Sequence, residues 1–170
     1  LDHSFRPFLS DNRSIGFNVD SVVIQPDEKV LLAGRVIGIN GLPRRGLMRL
    51  HSDGTTDTSF NPAIREDLTD FALCPDGKIV IVGNFLVSTG SARNRIARLN
   101  ADGSLDTSFD PGPGPNESVH EVAVRSDGRI LISGYFTSIS GLSRKYLAQL
   151  TTSGTVDSSF NPASSLNHTV

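Results

Sequence analysis

A chain of 170 residues is long enough for one domain with a sizeable core. A formal net charge of -2 with 37% hydrophobic residues gives no electrostatic pull toward nucleic acid or an anionic membrane, and no apolar run approaches the roughly eighteen residues of a spanning helix. The one cysteine, Cys74, excludes an internal disulfide framework and any multi-cysteine metal site; between Leu73 and Pro75 it reads as a small buried hydrophobe.

The chain opens on Asp2-His3-Ser4-Phe5-Arg6-Pro7. The same Asp-x-Ser-Phe-x-Pro pattern returns at 57–62, 106–111 and 157–162. A period of about fifty residues, with strand-like segments between turns, is the signature of a repeat array or a propeller. From Asp27, Asp76 and Asp127 through Pro62, Pro111 and Pro162 the three copies align without insertion, so each column is one structural position sampled three times.

Within a copy the elements come in fixed order. The first strand is predicted at Val19–Ile24, Leu68–Leu73 and Val119–Val124, short apolar runs of the kind buried on both faces. A turn follows at Pro26-Asp27-Glu28-Lys29, Pro75-Asp76-Gly77-Lys78 and Ser126-Asp127-Gly128-Arg129, where Asp-Gly between apolar runs is a hairpin cue. The second strand (29–33, 78–82, 129–133) ends at the recurring Gly34, Gly83 and Gly134. The third (47–50, 96–99, 147–150) closes with a hairpin turn at Gly54, Gly103 and Gly154, and the Asp-x-Ser-Phe segment is predicted as a fourth.

Four antiparallel strands in about fifty residues make one blade of an all-β propeller. Helical repeats lack the required period, a β-helix would have shorter coils, and a sandwich would not repeat so regularly. The expected organisation is three complete four-stranded blades at 19–60, 68–109 and 119–160. Residues 1–5 read as the last strand of a preceding blade and 167–170 as the start of a further one. Three blades fall short of a ring, so the expected partners are further blades of the same longer chain or like chains.

The run Pro75-Asp76-Gly77-Lys78-Ile79-Val80-Ile81-Val82-Gly83-Asn84-Phe85, followed by Gly90, Arg93, 96–100 and 102–109, resembles the delta-60 repeat family of bacterial β-propeller repeats. The resemblance covers nearly the whole chain. Glu28, Gln149 and Ser153 depart from the pattern at a glycine, an arginine and an aspartate. It implies a secreted bacterial, extracellular or cell-surface setting and supplies no catalytic residues.

Candidate groups follow from position. Phe60, Phe109 and Phe160, repeated at one column, read as packing anchors, and Gly54, Gly103 and Gly154 as residues needing positive φ. Asp20, Asp70, His120 and Glu121 lie near the start of the innermost strands, where they could line a channel mouth; as adjacent strand residues His120 and Glu121 should point to opposite faces. Arg44, Arg93 and Arg144 form either a basic arc for an acidic glycan or a repeated carbonyl-binding set. Asp57, Asp106 and Asp157 read as acceptors in turns, since no alternating Asp pattern of a calcium loop is present.

The connections from each Phe to the next turn differ in length between copies, and variable loops on a rigid scaffold are where recognition resides. They include Phe8 and Phe17 in 6–18, the segment 63–67, and Pro111-Gly112-Pro113-Gly114-Pro115. Asn116-Glu117-Ser118 fits a glycosylation acceptor. No nucleophile elbow, phosphate loop, dinucleotide fingerprint or zinc-hydrolase motif is found, and no cofactor or metal site is expected. The leading expectation is a non-enzymatic extracellular binding or adhesion scaffold for a protein or glycan ligand. Behind it stand a self-assembling surface or fibre component, and a hydrolase or lyase using channel carboxylates.

Overall fold

A computed structural model describes residues 18–35, 46–64, 68–87 and 93–162. The expected partial blades at 1–5 and 167–170 lie outside them, as do Phe8, Phe17 and Arg44. Three antiparallel sheets of three strands follow one another along the chain. The first holds β1 (Asn18–Ile24), β2 (Val30–Arg35) and β3 (Gly46–Leu50). The second holds β4 (Leu68–Leu73), β5 (Ile79–Val87) and β6 (Arg93–Leu99). In the third, β7 (Val119–Val124) and β8 (Ile130–Gly134) precede a two-residue hairpin, β9 (Ser138–Ile139) and β10 (Leu142–Ser143), which the sequence reading did not anticipate. The strand β11 (Leu147–Leu150) then completes the third sheet.

The middle and third strands of each sheet carry most of the core. In β5, Ile79, Val80, Ile81 and Val82 are all fully covered because each face of the sheet packs on a neighbour. Leu31, Ala33 and Leu47 of the first sheet meet Ile79, Ile81 and Ala97 on one side. Val80, Val82 and Ile96 meet Ile130, Ile132 and Ala148 on the other. The first strands, expected to be buried on both faces, are instead only partly covered: β4 and β7 each leave exposed or half-buried positions between buried ones. They are edge strands, with a sheet neighbour on one side only.

The turns behave as the aspartate-glycine pairs dictate. Gly77 and Gly128 take φ of 81° and 79°, and Glu28 holds the same left-handed conformation at φ 64° without a glycine. Each closes a tight loop, Gln25 N–H to Lys29 O, Cys74 N–H to Lys78 O and Arg125 N–H to Arg129 O, all at 2.8 Å.

The expected fourth strand is reduced to a single bridge in each copy, Leu50 to Thr56, Leu99 to Leu105 and Leu150 to Val156. The cause is local. The Asp57 carboxylate accepts both the amide and the hydroxyl of Ser59, at 3.0 and 2.5 Å, and Phe60 N–H reaches back to Asp57 O at 3.3 Å. That turn lifts the chain out of the ladder, and Asp106 and Asp157 do the same with Ser108 and Ser159.

The turn delivers the phenylalanine to the next sheet. A Cβ on Gly103 would lie 3.0 Å from Asn61 C and 3.1 Å from the Phe60 ring, and one on Gly154 would lie 2.9 Å from Asp110 C. With φ of 91° and 97°, these glycines meet two demands at once: left-handed backbone and close approach by the preceding repeat. Phe60 and Phe109 are buried to 2% and 0% exposure, whereas Phe160 is half-buried, there being no following turn among the described residues. Replacing Phe109 by alanine is therefore expected to cost about 3–5 kcal/mol in denaturant unfolding, and Phe160→Ala distinctly less. Equal losses would remove the inter-sheet packing described for Phe109.

Candidate functional site

The recurring polar residues assemble a scaffold joint in each repeat. Arg49 Nε donates to Asp57 Oδ2 at 2.8 Å and Arg98 Nε to Asp106 Oδ2 at 2.7 Å, both buried. Lys29 and Lys78 add second cations at 3.3 and 3.0 Å. The guanidinium carbons stand 4.5 and 4.8 Å over the Phe60 and Phe109 rings. The other arm of each arginine crosses to the next repeat: Arg49 Nη1 donates to Ala101 O and Arg98 Nη1 to Thr152 O, each at 2.6 Å. In the third copy Gln149 occupies this column. It donates to Asp157 at 2.8 Å, while its own Oε1 is buried without a hydrogen-bond partner among the described residues.

These surroundings set the acidity of the three aspartates. At Asp57 and Asp106 burial opposes ionisation, but the hydroxyls of Ser59 and Ser108 and the neighbouring cations outweigh it and hold both carboxyls well below the usual carboxylate range. Asp157, held by Ser159 and Gln149, is lowered to about 2. Burial foremost pushes the Cys74 thiol up to about 11, so it is a packed group rather than a nucleophile.

Arg93 and Arg144 are buried, at 3% and 7% exposure. Arg93 donates to the Phe109 carbonyl and lies 3.6 Å from Asp110; Arg144 donates to Ser143 O at 2.8 Å. Neither presents an open cation, and the basic arc gives way to carbonyl binding at these two positions. The proline-glycine loop is also clasped: Pro115 O accepts from Arg95 at 3.2 Å, Gly114 O from Ser140 N–H at 3.0 Å, and Pro111 O from the Ser140 hydroxyl. Asn116, the glycosylation candidate, has its amide oxygen 2.9 Å from Thr137 N and its nitrogen 3.0 Å from the Thr137 hydroxyl.

The channel-mouth candidates do come together. Asp20, Asp70, His120 and Glu121 line one cavity of about 550 Å³, with Thr69, Val122, Ala123, Leu131, Ile132, Ser133 and Leu147. A β-bulge makes this arrangement. The registers skip between Val19 and Ser21, between Leu68 and Asp70, and between Val119 and Glu121, which leaves Asp20, Thr69 and His120 as extra residues at one repeat column. Strict alternation would separate His120 from Glu121; the bulge puts both on the cavity wall. Opposite each bulge sits Gly34, Gly83 or Gly134, and a Cβ on Gly134 would come within 2.2 Å of Ser118 O.

Two wall residues also join the sheets. Thr69 Oγ1 donates to Val119 O at 2.8 Å, and Asp70 Oδ2 accepts Val122 N–H at 2.9 Å. The sequence reading passed over Thr69 and Tyr135. Tyr135, 55% exposed, meets the His120 ring edge-on with centroids 4.4 Å apart. Its signal was weak: it follows Gly134 at a column where the other copies carry Arg35 and Asn84. Among the described residues no group of three or more His, Cys, Asp or Glu is placed to hold a metal ion.

A family described as a beta-propeller domain of unknown function (DUF5122) matches residues 25–60, 74–109 and 125–160. The chain belongs to this beta-propeller repeat family. No curated protein and no solved structure matches it. Each matched segment of the beta-propeller repeat runs from the first turn to the anchor phenylalanine, so it contains the joint at the aspartate, with Gln149 in place of the arginine in the third copy. Asp20, Thr69, Asp70, His120 and Glu121 all fall outside the matched segments.

The depressed aspartates give the scaffold a defined acid limit. Folded-state values below the unfolded one mean that the contribution is complete above about pH 4 and is lost as pH falls through the folded values. Denaturant unfolding from pH 6 to pH 2 is expected to show stability level down to about pH 4.5 and falling steadily below it. The Asp106→Asn variant should show a shallower acid limb.

Proposed function

We propose that this chain is a non-enzymatic extracellular binding scaffold, with its ligand contacts at the cavity where the first strands begin. The observation that carries the reading is a division of labour. The residues that recur within the family segments are engaged in the joint, while Asp20, Asp70, His120 and Glu121, outside those segments, line one open cavity. Carboxylates beside a threonine hydroxyl and an imidazole with an exposed tyrosine at its edge suit hydroxyl-rich or peptide ligands, which offer donors to acid oxygens and flat faces to aromatic rings. A glycan or a protein segment is the ligand class in this reading.

The finer family assignment we favour is the delta-60 repeat, with its secreted bacterial, cell-surface setting. Its support is the match of 75–85, Gly90, Arg93, 96–100 and 102–109 to that pattern. We also read each sheet, its bridge and the turn after it as a blade whose fourth strand is abbreviated to one residue pair.

Glycan and peptide arrays probed with the purified chain, followed by titration of the strongest binder, test the proposal. Glu121→Gln and His120→Ala are expected to weaken binding at least tenfold, about 1.4 kcal/mol or more, and Asp127→Asn, at the far end of β7, to leave it unchanged. Equal binding by all three variants would move the site elsewhere, and turnover of the bound glycan or peptide would replace binding by hydrolysis or elimination.

A further inference from the structure

The turns that follow the third strands share one backbone and differ at one acid. His51, Asn100 and Thr151 each donate N–H to the carbonyl four residues on, at 2.8 Å, and Gly54, Gly103 and Gly154 hold φ of 86°, 91° and 97°. In the first two turns an aspartate fills the loop. Asp53 Oδ1 accepts the Thr55 amide and hydroxyl at 2.9 and 2.6 Å, and Asp102 Oδ1 accepts those of Ser104 at 2.9 and 2.7 Å. The hydroxyl first and then the amide hold each carboxyl below the usual carboxylate range, with a smaller pull on Asp102 from Arg49 of the preceding sheet.

In the third turn Ser153 takes the place of the acid. The donors remain. Thr151 Oγ1 lies 2.9 Å from Ser153 Oγ and 2.8 Å from Thr155 Oγ1, those two being 3.5 Å apart, and the Thr155 N–H has no hydrogen-bond partner among the described residues. Arg98 donates to Thr152 O at 2.6 Å, as Arg49 does to Ala101 O, so a cation of the preceding sheet stands in the same relation. Three hydroxyls and an amide thus converge where the other two turns carry a carboxylate. Their exposure owes nothing to the end of the array, because Asp102 and Ser104 are exposed as well with the third sheet beside them. Thr155 also lines a cavity of about 340 Å³ with Asp110, Pro111, Ser140, Leu142 and Val156. Asp110 is already balanced there, accepting Gly112 N–H at 3.0 Å and lying 3.6 Å from Arg93.

We infer that this turn binds the carboxylate of an acidic sugar, a uronic acid residue of a glycan, with Thr151, Ser153 and Thr155 as its donors and the sugar ring in the adjoining cavity. An external carboxylate takes the place that Asp53 and Asp102 fill from within the chain, so the ligand's chemistry is read from the fold's own side chains. Hydrogen bonds from hydroxyls and an amide to an ionised oxygen belong to the stronger class. The C–H face of a pyranose packs on Pro111, Leu142 and Val156, and its hydroxyls meet the oxygens of Ser140 and Asp110. An aspartate or glutamate side chain of a peptide offers that cavity only methylenes. This site is separate from the cavity at the first strands and stands without it.

The measurement is a titration followed by amide NMR, with sodium glucuronate, glucose, acetate and a glutamate-rich peptide as probes at constant ionic strength. Glucuronate is expected to shift the Thr155 amide saturably, and glucose to leave it unmoved. Acetate is expected to act at the same amide more weakly, since it lacks the ring. Ser153→Asp, which restores the acid of the other turns, is expected to abolish the shift, and Thr155→Val to weaken binding about tenfold by removing one donor to a charged group. Asp102→Ser is expected to create a second binding turn, reported by the Ser104 amide. Glu121→Gln is expected to change none of this, so the two sites are judged separately. A Thr155 amide that does not respond to glucuronate, a shift that persists in folded Ser153→Asp, or a silent Ser104 amide in folded Asp102→Ser would each overturn the inference. Acetate or the peptide binding as tightly as glucuronate would overturn it too.

Discussion

The joint between an aspartate, a serine and, in the first two repeats, an arginine is the constraint on which the rest of the structure depends. Asp57 and Asp106 each face four donors: a serine amide and hydroxyl, an arginine and a lysine. A buried carboxylate is costly unless its lone pairs are met, and here they are. Meeting them forces the turn that ends the ladder after one bridge. That turn sends phenylalanine and proline onto the glycine of the following repeat, while the second arm of the arginine takes a carbonyl there. One joint thus fixes the end of a sheet, the burial of an aromatic ring and the placing of the next sheet. The substitution of Gln149 loosens the joint at the third copy, where Phe160 is also the least covered of the three rings.

Once the recurring residues are engaged in this way, chemistry is left to those outside the family segments. The first strands are edges, so their polar groups can face a cavity instead of a core. The bulge at the column of Asp20, Thr69 and His120 turns one residue of each first strand toward it. Some of those residues have already been taken for sheet-to-sheet contacts, as Thr69 and Asp70 show. In the third sheet the equivalent His120 and Glu121 line the open cavity.

Much of this was legible in the sequence. Columns repeated without insertion located all three sheets and their turns, because glycine and aspartate report backbone conformation directly. Four of the cavity residues were found from their position at the start of the first strands. Beyond the β9–β10 hairpin and the cavity residues Thr69 and Tyr135, three features escaped. The fourth strand was assigned from its place in the order, yet Asp57 and Ser59 prefer a local turn to a ladder. The bulges leave no mark of their own in the sequence, so alternation wrongly parted His120 from Glu121; the glycine opposite each bulge was the available clue. The start of the third strand is left-handed in every copy, at Gly46, Arg95 and Tyr146, and only the first of these announces it. The arginines were read as a basic arc or, with more warrant, as carbonyl-bound, and at Arg93 and Arg144 burial favours the second.

The account turns on the claim that the aspartate and the arginine act as one unit. A double-mutant cycle in denaturant unfolding, with Arg98→Met, Asp106→Asn and both together, measures this directly. We expect a coupling energy of about 1–3 kcal/mol, and less for the corresponding cycle at Gln149 and Asp157, where no guanidinium joins the repeats. Additive losses at Arg98 and Asp106, or an equal coupling in the third copy, would contradict it.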